Sequence, residues 1–393
     1  MNAPVTTAGL LIVGGGPAAH HAAIAYREHG GPGPVLLVSD DDTPPYFRPP
    51  LSKELLRGGT DGPDLLLPGR TGAEVRTGRR VESLSVADRL ARLDDGGTVA
   101  FRQCLLATGS AAAALPVPGA DTALYLRTLA DARTLDERIG YAGSAIVVGS
   151  GFIGCEAAAS LARRGLRVTV CSDERVPQAA RLGDAVGDRL AGWLAEEGVT
   201  LRGGAEVTGI GTTASGRVVQ LRDAEPELAD VVLVAAGATP RAGLAADAGI
   251  AVRSGRVVVD ERMRSSAPGV FAAGDVALAY NAAAGRHLAV EHWGEAEAMG
   301  TVAGTTAAGG DARWDSPPGF WTVIGDRTLK YTAWGDGFDE VALESHDGGG
   351  FTAWYRSGGV VCGVATHLAD GDHERGTELV RRGATSTGRP DGR

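Results

Sequence analysis

The sequence predicts an α/β chain in which one strand–glycine turn–helix unit is split by a second copy of itself. Three observations predict it. An apolar run ends in Gly14-x-Gly16-x-x-Ala19 and leads into an alanine-rich helical pattern. The same grammar returns at Gly149-x-Gly151-x-x-Gly154. Three further strands run into small-residue turns: LLATGS (Leu105–Ser110), VLVAAGATP (Val232–Pro240) and GVFAAGDVA (Gly269–Ala277).

In the first loop, Gly14 permits the turn, Gly16 lets backbone approach a pyrophosphate, and Ala19 lets helix and strand pack closely. Phosphates then sit at a helix N-terminus, where free N–H groups and the macrodipole favour negative charge. The next strand, Val35–Val38, runs into Ser39-Asp40, and Asp40 can accept hydrogen bonds from a ribose. In the second copy the strand Ala145–Val148 precedes the loop, and the strand Arg167–Val170 precedes Asp173 and Glu174. Two Rossmann-like dinucleotide-binding units imply two dinucleotides, read as one resident FAD and one visiting nicotinamide cofactor. Gly109, Gly237 and Gly274 lie in the three small-residue turns, and Asp275 can grip a ribityl hydroxyl. Leu115–Thr128 reads as the crossover between units. The expected FAD-binding domain is 1–116 with 243–319 and the expected NAD(P)H-binding domain 117–242, and the polar tail after Arg382 reads as frayed.

The bulk numbers agree. A chain of 393 residues, 44% of them hydrophobic, holds two or three cored domains. A net charge of −10 weighs against a nucleic-acid partner. Cys104, Cys155, Cys171 and Cys362 form no CxxC pair and no zinc spacing, so no metal site is expected and all four read as small buried hydrophobes. Scattered thiols suit a reducing cytosol. The N-terminus lacks a basic leader with a cleavage site, and the apolar run Leu10–Val13 is too short to cross a membrane, so a cytoplasmic location is expected. The stripe Leu182, Val186, Leu190, Trp193, Leu194 has helical spacing and reads as core, while His20 and His21 open the first helix in a structural or phosphate-adjacent role.

The run PYFRPPLSKEL (Pro45–Leu55), with both glycine loops, resembles the two-dinucleotide flavoprotein reductases, in the branch of oxygenase-coupled ferredoxin reductases and apoptosis-inducing factor. The resemblance runs from about Gly9 to about Gly383, and implies an FAD domain, an inserted NAD domain and a C-terminal α+β interface domain over 320–393. It implies that Gly14, Gly16 and Asp40 hold the adenosine half of FAD. Arg48 and Lys53 would lie along the flavin, and Thr108, Gly109 and Arg127 would line it. Asp275 would meet the ribityl-phosphate region. Glu291, His292 and Trp293 match the segment at the ring edge, and Trp321 an aromatic that closes the cavity. Phe152 matches an aromatic that covers the flavin until nicotinamide displaces it. The family's glutamate partner for the motif lysine is Glu156.

Lys53 and Lys330 are the two lysines among 38 basic residues. An arginine habit broken at Lys53 fits a local demand for a compact point charge. The chain departs from the resemblance at Ala112–Ala114, where relatives often carry a proline–arginine pair. It departs again at Trp321-Thr322-Val323, which stands for a Trp-Ser-Asp where an electron acceptor would approach.

The expected activity is FAD-dependent NAD(P)H oxidoreduction with a ferredoxin-type acceptor serving an oxygenase, in a monomer or homodimer. A reductase or oxidase acting on a quinone, oxygen or a biosynthetic intermediate is the first alternative. A redox sensor answering to bound NADH is the second. Glu174 beside Asp173 predicts NADH over NADPH; Ser172 and Arg175 are the residues that would argue the reverse.

Overall fold

The structure is a computed structural model that describes residues 5–386 apart from 61, 70 and 215. The first sheet contains β1 (Val5–Val13), β2 (Val35–Val38), β3 (Ala73–Arg76), β4 (Val81–Ser85), β5 (Leu90–Leu93) and β6 (Thr98–Leu106), in the order β3-β2-β1-β6-β5-β4. From Ala8 onward β1 is buried at every position, as a parallel strand covered on both faces must be. Helix α1 (Pro17–Glu28) makes the crossover from β1 to β2, with Pro17 at its first turn, where a missing N–H costs nothing.

The chain leaves this sheet through β7 (Ser110–Ala112). A second sheet combines β8 (Leu124–Tyr125), β9 (Ser144–Val148), β10 (Arg167–Ser172) and β11 (Thr200–Gly203) with a later strand. Between them run α2 (Leu129–Ile139), α3 (Phe152–Arg163), α4 (Ala179–Leu182) and α5 (Asp184–Glu196). An antiparallel meander, β12 (Val207–Thr213), β13 (Gly216–Leu221) and β14 (Glu227–Ala229), leads to that strand, β15 (Val231–Val234), giving the order β11-β10-β9-β15-β8. The returning β16 (Ala238–Pro240) lies antiparallel to β7, so the outgoing and incoming chains cross side by side. The Leu115–Thr128 crossover is therefore not mere linker: β8 within it edges the second sheet, and Thr128 caps α2 through a reciprocal capping box with Asp131.

After α6 (Gly243–Asp247) come β17 (Val252–Arg253), β18 (Arg256–Val259), β19 (Val270–Ala272), β20 (Ala277–Asn281) and β21 (Arg286–Ala289). β19 pairs with β6 of the first sheet, and the other four form their own sheet. Helix α7 (Trp293–Ala307) then packs on α1 at backbone contact. A Cβ on Gly300 would stand 2.3 Å from the Ala18 carbonyl oxygen, and one on Gly304 2.2 Å from that of Ala22. The C-terminal unit is the sheet β22 (Gly319–Ile324), β23 (Arg327–Ala333), β24 (Glu340–Ser345), β25 (Phe351–Ser357) and β26 (Val360–His367), with α8 (Asp370–Ser386) against it. Helix α8 carries the chain past Arg382 to Ser386, and the rest of the tail expected to fray, residues 387–393, lies outside the described part.

The apolar stripe at 182–194 is buried, but it is not one helix. Gly183, at φ 77°, separates α4 from α5, and Leu182 reaches the core from the shorter piece. Among the described residues no helix is long and apolar enough to cross a membrane.

Candidate functional site

One elongated cavity of about 990 Å³ runs past both glycine loops. Of the residues read from sequence, Gly14, Gly16, Asp40, Arg48, Lys53, Thr108, Gly109, Arg127, Gly151, Phe152, Glu156, Gly237, Gly274, Asp275, Glu291, His292, Trp293 and Trp321 line it. Ala19, Gly149, Gly154 and Glu174 do not. Ala19 is wholly buried under the first loop. Gly149 and Gly154 shape the second loop from behind: Gly149 takes φ 104°, and a Cβ on Gly154 would strike the Gly149 carbonyl oxygen at 2.2 Å. Glu174 turns its Oε1 to the amide of Ala180, 2.8 Å away.

The loops are built as cradles. Gly14 has φ 124°, and a side chain there would meet the Ala107 carbonyl at 2.1 Å. A Cβ on Gly16, by contrast, would meet nothing within 4 Å. The wall also leaves polar atoms waiting: Arg48 Nε and Ser110 Oγ are buried with no protein partner among the described residues. Unpaired buried donors are costly, so a polar ligand fits here. Open glycines, orphan donors and two helix N-termini on one cavity suit a pair of dinucleotides laid end to end.

Several charged groups of the wall are paired. Asp40 meets Arg241, absent from the sequence reading, at 3.1 Å. Arg127 donates to Asp275 at 2.5 Å. Arg48 lies over the Tyr46 ring and 3.6 Å from Asp41. Glu291 is ion-paired with Arg256. His292 precedes α7, and burial, with Arg181 near, pushes its pKa down to about 4, so the ring is neutral. The Phe152 ring rests on Phe320 at 4.5 Å, with His292 on the same ring at 4.6 Å and the Arg181 guanidinium over Phe152.

Glu156 is the node of the site. Its Oε2 accepts from Lys53 Nζ at 2.8 Å and Ser52 Oγ at 2.5 Å. Its Oε1 accepts from Thr322 Oγ1 at 2.7 Å and the Val323 amide at 3.2 Å. A 3₁₀ turn at Pro49–Ser52 delivers the first pair of donors, and β22 the second. Four donors, one of them charged, satisfy a carboxylate that burial alone would penalise. Alternation along β22 puts Trp321 outward, 43% exposed, and Thr322 inward, 1% exposed. The position written as a departure in the acceptor's path therefore begins with a residue that faces Glu156 instead. Sequence reading missed Ser52, Thr322, Phe320, Arg181 and Arg241; Ser52 and Phe320 sit beside residues it named, but nothing local marks Arg241.

The four cysteines are free, and three are buried. Burial pushes the Cys104 thiol up to about 12 and that of Cys171 up to about 11. His20 is buried, with Nε2 on the Pro68 carbonyl at 3.0 Å, a structural role. Among the described residues no group of three His, Cys, Asp or Glu side chains could hold a metal ion.

Such a frame defines a class: a protein with two dinucleotide folds that share one cavity, with a buried lysine–glutamate pair in its wall. Comparison with known proteins makes it specific. Residues 9–300 match the pyridine nucleotide-disulphide oxidoreductases, and the chain belongs to that family. Apoptosis-inducing factor 3 of Homo sapiens is 31% identical over 86% of this chain, which spans 57% of that protein's length. The ferredoxin–NAD(+) reductase subunit of the benzene 1,2-dioxygenase system of Pseudomonas putida is 31% identical over 79% of this chain and 77% of its own. Among solved structures, a ferredoxin reductase from Rhodopseudomonas palustris superposes with a TM-score of 0.88, at 29% identity over 94% of this chain and 93% of that one. The covalent putidaredoxin reductase–putidaredoxin complex also gives 0.88, at 25% identity over 96% of this chain and 93% of that one. Family membership makes this an oxidoreductase of FAD and a pyridine nucleotide. Its four cysteines are free and none stands in a CxxC spacing that would match the family's disulphide name.

Proposed function

We propose that this protein takes a hydride from NADH onto FAD and passes the electrons to a ferredoxin-type iron–sulfur protein, of the kind that serves an oxygenase. The observation that carries the reading is the single cavity joining both glycine loops at the Lys53–Glu156 pair. The relatives described as ferredoxin–NAD(+) reductases support the choice of acceptor. Four scattered thiols support a cytoplasmic location. The sheet divisions support domains of 1–116 with 243–319, 117–242 and 320–393.

In this reading Gly14, Gly16 and Asp40 hold the adenosine half of FAD. Thr108, Gly109, Arg127, Gly237, Gly274 and Asp275 line its middle, with Ala19 packing the loop from beneath. Arg48, Lys53, Glu291, His292 and Trp293 surround the ring end, and Trp321 closes it. Gly149, Gly151, Gly154 and Glu174 serve the nicotinamide cofactor. When bound, FAD accepts a hydride and releases electrons singly, which links a two-electron donor to a one-electron acceptor. The protein's own contribution is position and charge. Glu156 fixes the Lys53 ammonium in the cavity wall through their 2.8 Å hydrogen bond. The N-terminus of α7 adds the positive end of its dipole to the same end of the cavity. Phe152, stacked on Phe320 rather than locked in the core, is the group that yields to an entering nicotinamide ring.

Steady-state reduction of cytochrome c by NADH, with and without added ferredoxins, tests this. Turnover that requires ferredoxin is the expected result. Equal rates without it, or faster direct reduction of quinone or oxygen, would replace the acceptor.

A further inference from the structure

The residues that could receive a 2′-phosphate stand at the end of β10 and just past it, and each is engaged. Ser172 Oγ shares a buried hydrogen bond of 2.7 Å with Ser150 Oγ of the second glycine loop, and also accepts from the Glu174 amide. The Arg175 guanidinium is gripped from two sides, by Asp184 at 3.3 Å and Asp188 at 3.2 Å, both on the first turns of α5. An arginine at this place in a dinucleotide fold ordinarily accommodates the 2′-phosphate of NADP. We propose that Asp184 and Asp188 are specificity-determining residues that select NADH by withholding Arg175 from that phosphate.

The chemistry is simple. Asp173, Glu174, Asp184 and Asp188 carry four negative charges against the one positive charge of Arg175. All three members of the clamp are about 60% exposed, so the ion pairs are weak in themselves. What they change is the local sign: a dianionic phosphate must displace two carboxylates and then remain beside them. Glu174 contributes less than its position in sequence implies, because its carboxylate is occupied by the Ala180 amide.

The proposal rests on the reading of the second loop as a nucleotide site, and the test separates the two. Titration calorimetry measures binding of AMP and of adenosine 2′,5′-bisphosphate to the FAD-loaded protein and to Asp184→Asn/Asp188→Asn. The wild type should favour AMP; a preference for the bisphosphate would overturn the NADH reading itself. The double variant should bind the bisphosphate about tenfold more tightly, at low salt, with AMP unchanged within about twofold. No gain, or an equal gain for AMP, overturns the proposal while leaving the NADH reading intact. Arg175→Gln should change little in the wild type yet erase the gain in the double variant. A gain that survives Arg175→Gln would show that the clamp is not the cause. The ratio of kcat/KM for NADPH to that for NADH should rise in parallel.

Discussion

Thr322 donates its hydroxyl hydrogen to Glu156 at 2.7 Å, tying the C-terminal sheet to the helix that follows the second glycine loop. Glu156 and Lys53 are each about 5% exposed, so neither charge is rescued by water if its partner goes. Removing one member of such a buried pair costs about 3–5 kcal/mol, because the other is left uncompensated. Lys53→Met and Glu156→Gln should each destabilise the fold and slow flavin reduction, and the double variant should cost less than the sum. Denaturation and stopped-flow reduction across the cycle measure this; strict additivity would mean that the two do not act together. Thr322→Val should cost about 1 kcal/mol, and Thr322→Ser should restore it.

The two glycines of the first loop should fail in different ways. Gly16 has open space on its Cβ side, so Gly16→Glu should fold and place a carboxylate where the proposed reading puts the FAD pyrophosphate. The expected product is folded and colourless, as absorbance and circular dichroism would show. Full FAD occupancy in that variant would remove the first loop from the site. Gly14→Ala, at φ 124° and against the Ala107 carbonyl, should instead lose stability outright.

Thiol chemistry should be dispensable. All four cysteines are free, and burial holds the thiols of Cys104, Cys155 and Cys171 protonated at neutral pH. A variant with serine at Cys362 and alanine at the other three should still pass electrons from NADH. If it folds and binds both cofactors yet transfers nothing, a cysteine has to be written into the mechanism.

His292 sets a pH dependence of known sign. Its folded pKa of about 4 lies below the ordinary 6.5, because burial opposes the charged form. Between those values the unfolded chain takes up a proton that the folded chain refuses. Stability should therefore fall as pH drops from 6.5 toward 4, by up to about 3 kcal/mol, and be level with respect to this group above 6.5. His292→Asn should flatten that slope in urea titrations run across the window. An unchanged slope would place the acid sensitivity elsewhere.

Packing of α7 on α1 should be intolerant of a single methyl group. Gly304→Ala would put a Cβ 2.2 Å from the Ala22 carbonyl oxygen, with backbone on both sides. Overpacking of this kind costs about 1–3 kcal/mol, against the usual gain from Gly to Ala within a helix. Differential scanning calorimetry would register a lower Tm; a higher one would show that the two helices can part freely.

The sequence by itself determined the two glycine loops, the strands that feed them and the short motif that carries Lys53, while its glutamate partner came from the family resemblance. Each of these is a local demand: a turn needs Gly14, a parallel strand covered on both faces needs the run Leu10–Val13, and a short motif carries Lys53. Only the tertiary structure decided which of these residues face one another. Arg241 reaches Asp40 across 201 positions, and Thr322 reaches Glu156 across 166. Neither pairing leaves a periodic trace, because each depends on where two sheets meet. The same reason explains Glu174: its place after a strand is legible, but the amide of Ala180 that occupies its carboxylate is presented by the first turn of the four-residue helix α4, whose placement comes from the tertiary fold.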